Sequence, residues 1–320
     1  MTSGPATHLP SDLPVFAVEM PPPDLSPYLQ GNTGITGFTS LESGASGPHV
    51  VLVSLIHGNE YIGATILAEL LASGLQPLRG KLTIGFANLA AFARFDPDNP
   101  TASRYIDEDM NRVWDDFSLF GIRHSAELDR AREIRPIIDS ADILLDLHSM
   151  LWPSDPLLLC GTSARARNLG LEMGTPGLVV ADSGHVNGKR LIDYGHFAEN
   201  NQQNVTALLL EAGLHWHVQT ARQCRRSVRA LLHHAGMLAM PARQQTPARA
   251  ANVVKTVTAR TNRFHFIREF RGGEVIAKAG TLIAHDGDEE IYTPEDDLIM
   301  IMPSLKVGYG HTAVRLAKQI

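Results

Sequence analysis

Cysteine is almost absent. Cys160 and Cys224 stand far apart in a chain of 320 residues and neither belongs to a Cys-x-x-Cys pair, which excludes a disulfide framework and a thiolate metal site. No basic cluster occurs, and 28 Lys+Arg against 34 Asp+Glu leave a formal net charge of −6. A mildly acidic chain of this kind is a poor nucleic-acid binder. No run approaches the ~20 apolar residues a membrane helix requires, and the N-terminus shows no basic segment followed by an apolar one. A repeat of solenoid period is also missing. These absences predict a cytoplasmic protein with neither nucleic acid nor membrane as partner. The oligomeric state stays open, an assembly of identical chains being compatible with the sequence.

The length suffices for one large domain and a small one. Residues 1–30 are proline-rich, with Pro21, Pro22 and Pro23 in a row, and read as an extended arm. A main domain is expected over 31–240. Gly31 to Gly47 reads as a hairpin, with Ile35 to Leu41 as one arm. It leads to a Val- and Ile-rich strand from Val51 to Ile56, apolar enough to be buried on both faces. A helix from Tyr61 to Leu75 follows, with apolar residues at Ile62, Ile66, Leu67, Leu70 and Leu71. Further strands are predicted at Leu82–Leu89, Ala141–His148, Leu157–Cys160, Leu178–Ala181 and Val205–Leu210, and helices at Arg123–Asp139 and Val218–Met240. The segment Ala90–Phe120 is long, polar and without clear period, a kind of loop that is often functional. Residues 241–251, with two prolines among polar residues and alanines, read as a linker. Beyond it the period shortens, and Val253–Val257, Phe264–Phe270, Gly273–Ala277, Thr281–Ala284 and Leu298–Met302 predict a small β domain over 252–320.

Chemistry-bearing residues fall where strands end. His57 and Glu60 follow the apolar Val51–Ile56 strand within one turn, and in an open α/β sheet the crevice beyond the carboxyl ends of strands is where ligands bind. An imidazole and a carboxylate so placed suit zinc. His148 also closes an apolar strand and is a third candidate ligand, a hydrogen-bonded core histidine being the alternative. Asp146 lies on the same strand face and could orient it. Glu211 directly follows Ala207 to Leu210; facing a cleft it could move a proton, and otherwise it must pair in the interior. Arg104, Asn111 and Arg112 could grip a carboxylate or an oxyanion, or simply neutralise Asp107, Glu108 and Asp109.

Four motifs in this order, His57-Gly-Asn-Glu60, Arg104 to Arg112, Asp146-Leu-His148 and Leu210-Glu211-Ala-Gly213, closely resemble the succinylglutamate desuccinylase and aspartoacylase family, relatives of the zinc carboxypeptidases. The segments Gly280 to Glu290 and Met302 to Gly308 are similar to the end of the desuccinylases. The resemblance implies an α/β fold with a zinc-carboxypeptidase-like mixed sheet flanked by helices and a small C-terminal β domain. It implies one zinc per chain held by His57, Glu60 and His148, Glu211 as general base and acid, and Arg104 at the oxyanion. Asn111 and Arg112 would bind the substrate carboxylate, with Tyr309 as a late substrate-binding residue. The implied activity is a zinc-dependent hydrolase of linear amides, a deacylase acting on an N-acyl amino acid or similar small carboxylate-bearing amide. A carboxypeptidase-like metallopeptidase and a catalytically silent metal-binding relative are the competing readings. One departure concerns substrate choice: where aspartoacylases carry a further arginine before the catalytic glutamate, this chain has Asn200 to Asn204, and Arg190 or Lys189 is the candidate replacement.

Overall fold

The computed structural model describes residues 17–185, 187–197, 204–239 and 247–320. Backbone contacts divide them into a larger unit, Val18–Met150 with Pro156–Asn252, and a smaller one, Leu151–Asp155 with Val253–Gln319. Of the segment read as an arm, residues 1–16 lie outside the description, and Ser26–Tyr28 form a 3-10 turn. Of the segment read as a linker, residues 241–246 lie outside it, and a strand already begins at Arg249.

The larger unit contains, in chain order, β1 (Phe38–Glu42), β2 (His49–Ser54), α1 (Ile62–Ala72), β3 (Lys81–Phe86), the short α2 (Leu89–Phe92) and α3 (Asp116–Phe120), and α4 (Ala126–Asp139). Then come β4 (Ile143–Met150), β5 (Leu157–Leu159), α5 (Ala164–Met173), β6 (Leu178–Ala181), β7 (Thr206–Leu214) and α6 (Val218–His234). Its strands lie in the order β1-β3-β2-β4-β7-β5-β6. The central four, β3, β2, β4 and β7, are mutually parallel, whereas β1 and β5 run antiparallel to their neighbours β3 and β7. The sheet is therefore mixed. Helix α6 packs on α1 and α5, and all three pack on its strands; β2, β4 and β7 are buried almost throughout, the pattern expected of central parallel strands.

The hairpin expected over Gly31–Gly47 does not form. Both edges of β2 are taken by β3 and β4, so Phe38–Glu42 pairs instead with the free edge of β3. The segment Ala90–Phe120 is less irregular than its sequence suggests, because α3 and a 3-10 turn at Met110–Arg112 interrupt it.

The smaller unit takes up β8 (Arg249–Thr258) from Val253 onward, then β9 (Phe264–Phe266), β10 (Val275–Ile276), β11 (Leu282–Asp286), β12 (Glu289–Tyr292), β13 (Leu298–Ile301) and β14 (Thr312–Gln319). Strands β12, β11 and β9 form a separate antiparallel sheet, and β10, β13 and β14 pair antiparallel. Val257, Phe270, Ile283, Met300, Val314 and Leu316 are the centre of its core. Strands β12 and β14 have no counterpart in the sequence reading. In β12 only Ile291 is buried, so no apolar alternation marks it.

Candidate metal and catalytic site

Register places the candidates together. In the parallel pairs Val53 lies opposite Asp146, Ser54 opposite Leu147, and His148 opposite Glu211. The carboxyl ends of β2, β4 and β7 therefore finish at one level. Past β2 the chain turns sharply at Leu55, whose φ of 61° is left-handed and strained for a leucine. The amide of Glu60 then donates to the His57 carbonyl at 3.1 Å, closing the turn that carries both side chains. Gly58 is required between them, because a Cβ there would meet the backbone of Ala91, Phe92 and Ser103 at 2.5 Å.

His57, Glu60 and His148 are all buried, and one ligand atom from each lies within 4.8 Å of the others. His57 Nδ1 is 2.9 Å from Glu60 Oε1, yet the atoms are not aligned for a hydrogen bond, and Nδ1 has no other partner among the described residues. Two electronegative atoms brought so close without a proton aimed between them are what two ligands of one cation look like. His148 Nδ1 lies 3.1 Å from Glu60 Oε2. Behind both rings stands a carboxylate: His57 Nε2 donates to Asp109 Oδ1 and His148 Nε2 to Asp146 Oδ2, each at 2.8 Å. A carboxylate behind each ring is the usual support of a metal-bound histidine, and Arg104 Nη2 also lies 3.0 Å from His57 Nε2. The residues present thus fit zinc, which takes nitrogen and oxygen donors and keeps one position open when catalytic. Burial opposes a charged Glu60, but His57 and His148 hold its carboxyl well below the ordinary range.

Glu211 is buried, and its Oε2 has no hydrogen-bond partner among the described residues. Burial, with the charge of Glu60 added, pushes its carboxyl up to about 8. Arg104 donates from Nη1 to Glu60 Oε1 at 2.8 Å, and its carbonyl accepts from the Gly58 amide at 3.0 Å, tying the ligand turn to the long loop.

Residues 46–171 match the family model of the succinylglutamate desuccinylase/aspartoacylase catalytic domain. That stretch carries the catalytic-domain pattern of the family. The match includes His57, Glu60, Arg104, Asn111, Arg112 and His148 and ends before Glu211. Among solved structures, succinylglutamate desuccinylase from Vibrio cholerae aligns with a TM-score of 0.70 at 16% identity, over 89% of this chain and 86% of that one. A succinylglutamate desuccinylase/aspartoacylase from Rhodobacter sphaeroides aligns with a TM-score of 0.64 at 20% identity, over 88% of each chain. The ectoine utilization protein EutE from Ruegeria pomeroyi, determined with product bound, aligns with a TM-score of 0.62 at 18% identity, also over 88% of each chain. These likenesses show the fold. No curated protein sequence matches the chain.

The remaining candidates are placed unequally on this fold. Asn111 is buried, and its Oδ1 accepts from the Leu191 amide at 2.8 Å, so it joins two loops. Arg112 donates to the Asn111 carbonyl at 2.6 Å and reaches His185 Nε2 at 3.2 Å. Arg190 is committed elsewhere: buried, it donates to both oxygens of Asp182 at 2.7 and 3.0 Å and to Asp193. Lys189, the other candidate replacement, is exposed and lines a cavity of about 410 Å³ with His185, Ser183 and Thr162. Tyr309 belongs to the smaller unit, is 71% exposed, and donates its amide to Asn262 Oδ1.

Two supporting residues escaped the sequence reading. Asp109 was visible only as a neutralising charge, and its bond to His57 spans 52 positions. Glu127, in the first turn of α4, is fully buried and accepts from the amides of Ile106, Asp107 and Glu108 and from Asn88 Nδ2, at 2.6–3.2 Å. Its carboxylate thereby fixes the backbone between Arg104 and Asp109. Glu127→Ala leaves these donors without a partner and is expected to lower stability by roughly 2–4 kcal/mol. It should also abolish hydrogen-exchange protection of the 106–108 amides, both readable by urea unfolding and amide exchange.

Proposed function

We propose that the chain is a zinc-dependent amidohydrolase that removes the acyl group from an N-acyl amino acid or a similar small carboxylate-bearing amide. One observation carries this reading: a buried carboxylate without a partner at Oε2, Glu211, lies in register beside a buried His57–Glu60–His148 group. The match to a deacylase family's catalytic domain supports it. Held by these three residues, zinc supplies Lewis acidity and a water acidified towards neutral pH.

The chain's own groups do the rest. Glu211 accepts the proton of the attacking water and returns it to the leaving amine nitrogen. Arg104 stabilises the charge that develops on the acyl oxygen. Arg112, with Asn111 fixing the loop, receives the substrate carboxylate. The main region over 31–240 would hold this machinery, with a small β region over 252–320. Cys160 and Cys224 are free and buried thiols, which supports a cytoplasmic setting. No described helix is long and apolar enough to cross a membrane.

The test is a panel of N-acetyl, N-succinyl and N-formyl amino acids, assayed beside short peptides with zinc-loaded protein. Hydrolysis of at least one acyl amino acid well above any peptide is expected. Preference for peptides would favour a carboxypeptidase-like activity, and no hydrolysis of either, with no zinc bound, a silent relative.

A further inference from the structure

Just beyond β7, His215 is buried at 4% exposure, and its Nδ1 lies 2.7 Å from Ser149 Oγ. Ser149 follows a candidate ligand, and its amide donates to Glu60 Oε2 at 3.0 Å. His215 Nε2 has no hydrogen-bond partner among the described residues, yet it is not among the polar atoms sealed from solvent. A histidine that merely fills a core would be expected to satisfy both ring nitrogens. Through Ser149, whose amide donates to Glu60 Oε2 and whose hydroxyl meets Nδ1, the ring is joined directly to the candidate site.

The backbone holds the ring there at a cost. Trp216 is left-handed, with φ 59°, a conformation rarely adopted by a bulky aromatic. It is pinned on several sides: Trp216 Nε1 donates to the Asn59 carbonyl at 2.9 Å, Met20 N to the Trp216 carbonyl at 3.0 Å, and His215 N to the Met150 carbonyl at 2.8 Å. Strain that is this firmly held is a mark of functional sites. The second strained non-glycine next to the site, Leu55, precedes His57 by two positions.

We propose that His215 is a further catalytic-site residue, a neutral imidazole whose Nε2–H donates a hydrogen bond to a carboxylate or carbonyl oxygen of the bound substrate, with Ser149 fixing its tautomer. This rests on the amidohydrolase reading. The Ser149 hydroxyl donates to Nδ1, which leaves the ring proton on Nε2. The Ser149 amide that bonds Glu60 places this ring beside the Glu60 carboxylate, an environment that favours a donor over a second lone pair on the open edge. Burial also disfavours a charge on the ring and pushes it down to about 4, so at neutral pH it donates without carrying a net charge.

The experiment combines a tautomer measurement with three variants, all on the zinc-loaded full chain. Nitrogen NMR of histidine-labelled protein is expected to show the His215 proton on Nε2 in native protein at pH 7. In His215→Leu, kcat/KM is expected to fall roughly 10–100-fold, the loss of one donor to a charged or polarised oxygen, with zinc content unchanged. His215→Gln, whose Nε2 replaces the lost donor, should recover part of that loss, and His215→Asn, whose amide sits at the Nδ1 position, should not. A proton on Nδ1, or a fully zinc-loaded His215→Leu with native kcat/KM, would overturn the proposal. Failure of the native chain to hydrolyse any acyl amino acid sinks the hydrolase reading instead, because the tautomer is read without turnover.

Discussion

Glu211→Gln should lower turnover of the best acyl amino acid by roughly 10²–10⁴-fold, the range for loss of a positioned general acid–base. Zinc content should remain at the one per chain proposed, because Glu211 is not in the candidate ligand group. The isosteric amide keeps the packing and removes only the ability to accept and return a proton. A second readout separates this role from a structural one. In the chelated protein the folded-state carboxyl is raised to about 8 from an ordinary 4.5. Between those two values the folded state holds a proton that the unfolded state has released, so native stability declines as pH rises. Glutamine cannot titrate, so the chelated variant should melt higher than chelated native protein at pH 9 and should lose less stability between pH 5 and pH 9. Near-native turnover, or a variant less stable at pH 9, would sink the assigned role of Glu211.

The second large effect concerns the metal. His148→Ala removes one of the three proposed ligands together with the anchor for Asp146, and the variant should retain no stoichiometric zinc after dialysis and show no measurable hydrolysis. Asp146→Asn and Asp109→Asn leave all three ligands in place but weaken the hydrogen bonds behind His148 and His57. Each is expected to cost about 10–100-fold in zinc affinity, measured by competition with a chromophoric chelator. Equal zinc affinity in all three variants and the native chain would place the metal elsewhere.

Much of this site was legible in the sequence because it is built at strand ends. Apolar runs ending in His57, His148 and Glu211 announce both the strands and the polar residues they expose. Parallel pairing then aligns those ends, since His148 and Glu211 occupy the same level of adjacent strands. What stayed hidden depends on contacts between segments distant in sequence. The bond of Asp109 to His57 and the grip of Glu127 on residues 106–108 have no local signal. Arg190 illustrates the converse: a cation near the site looked available for substrate until the structure placed Asp182 and Asp193 around it. The expected hairpin failed for a topological reason, because a strand between two parallel neighbours has no edge left to offer.

Asp109 has a further consequence. It lies in the loop that carries Arg104 and Arg112 and at the same time holds the ring of His57. In the proposed zinc-bound chain, ordering of that loop and strength of metal binding would therefore be joined by a single coupling free energy that acts equally in both directions. A substrate that draws the loop inward should slow the escape of zinc to a chelator, and zinc should in turn tighten the hold on substrate by the same factor.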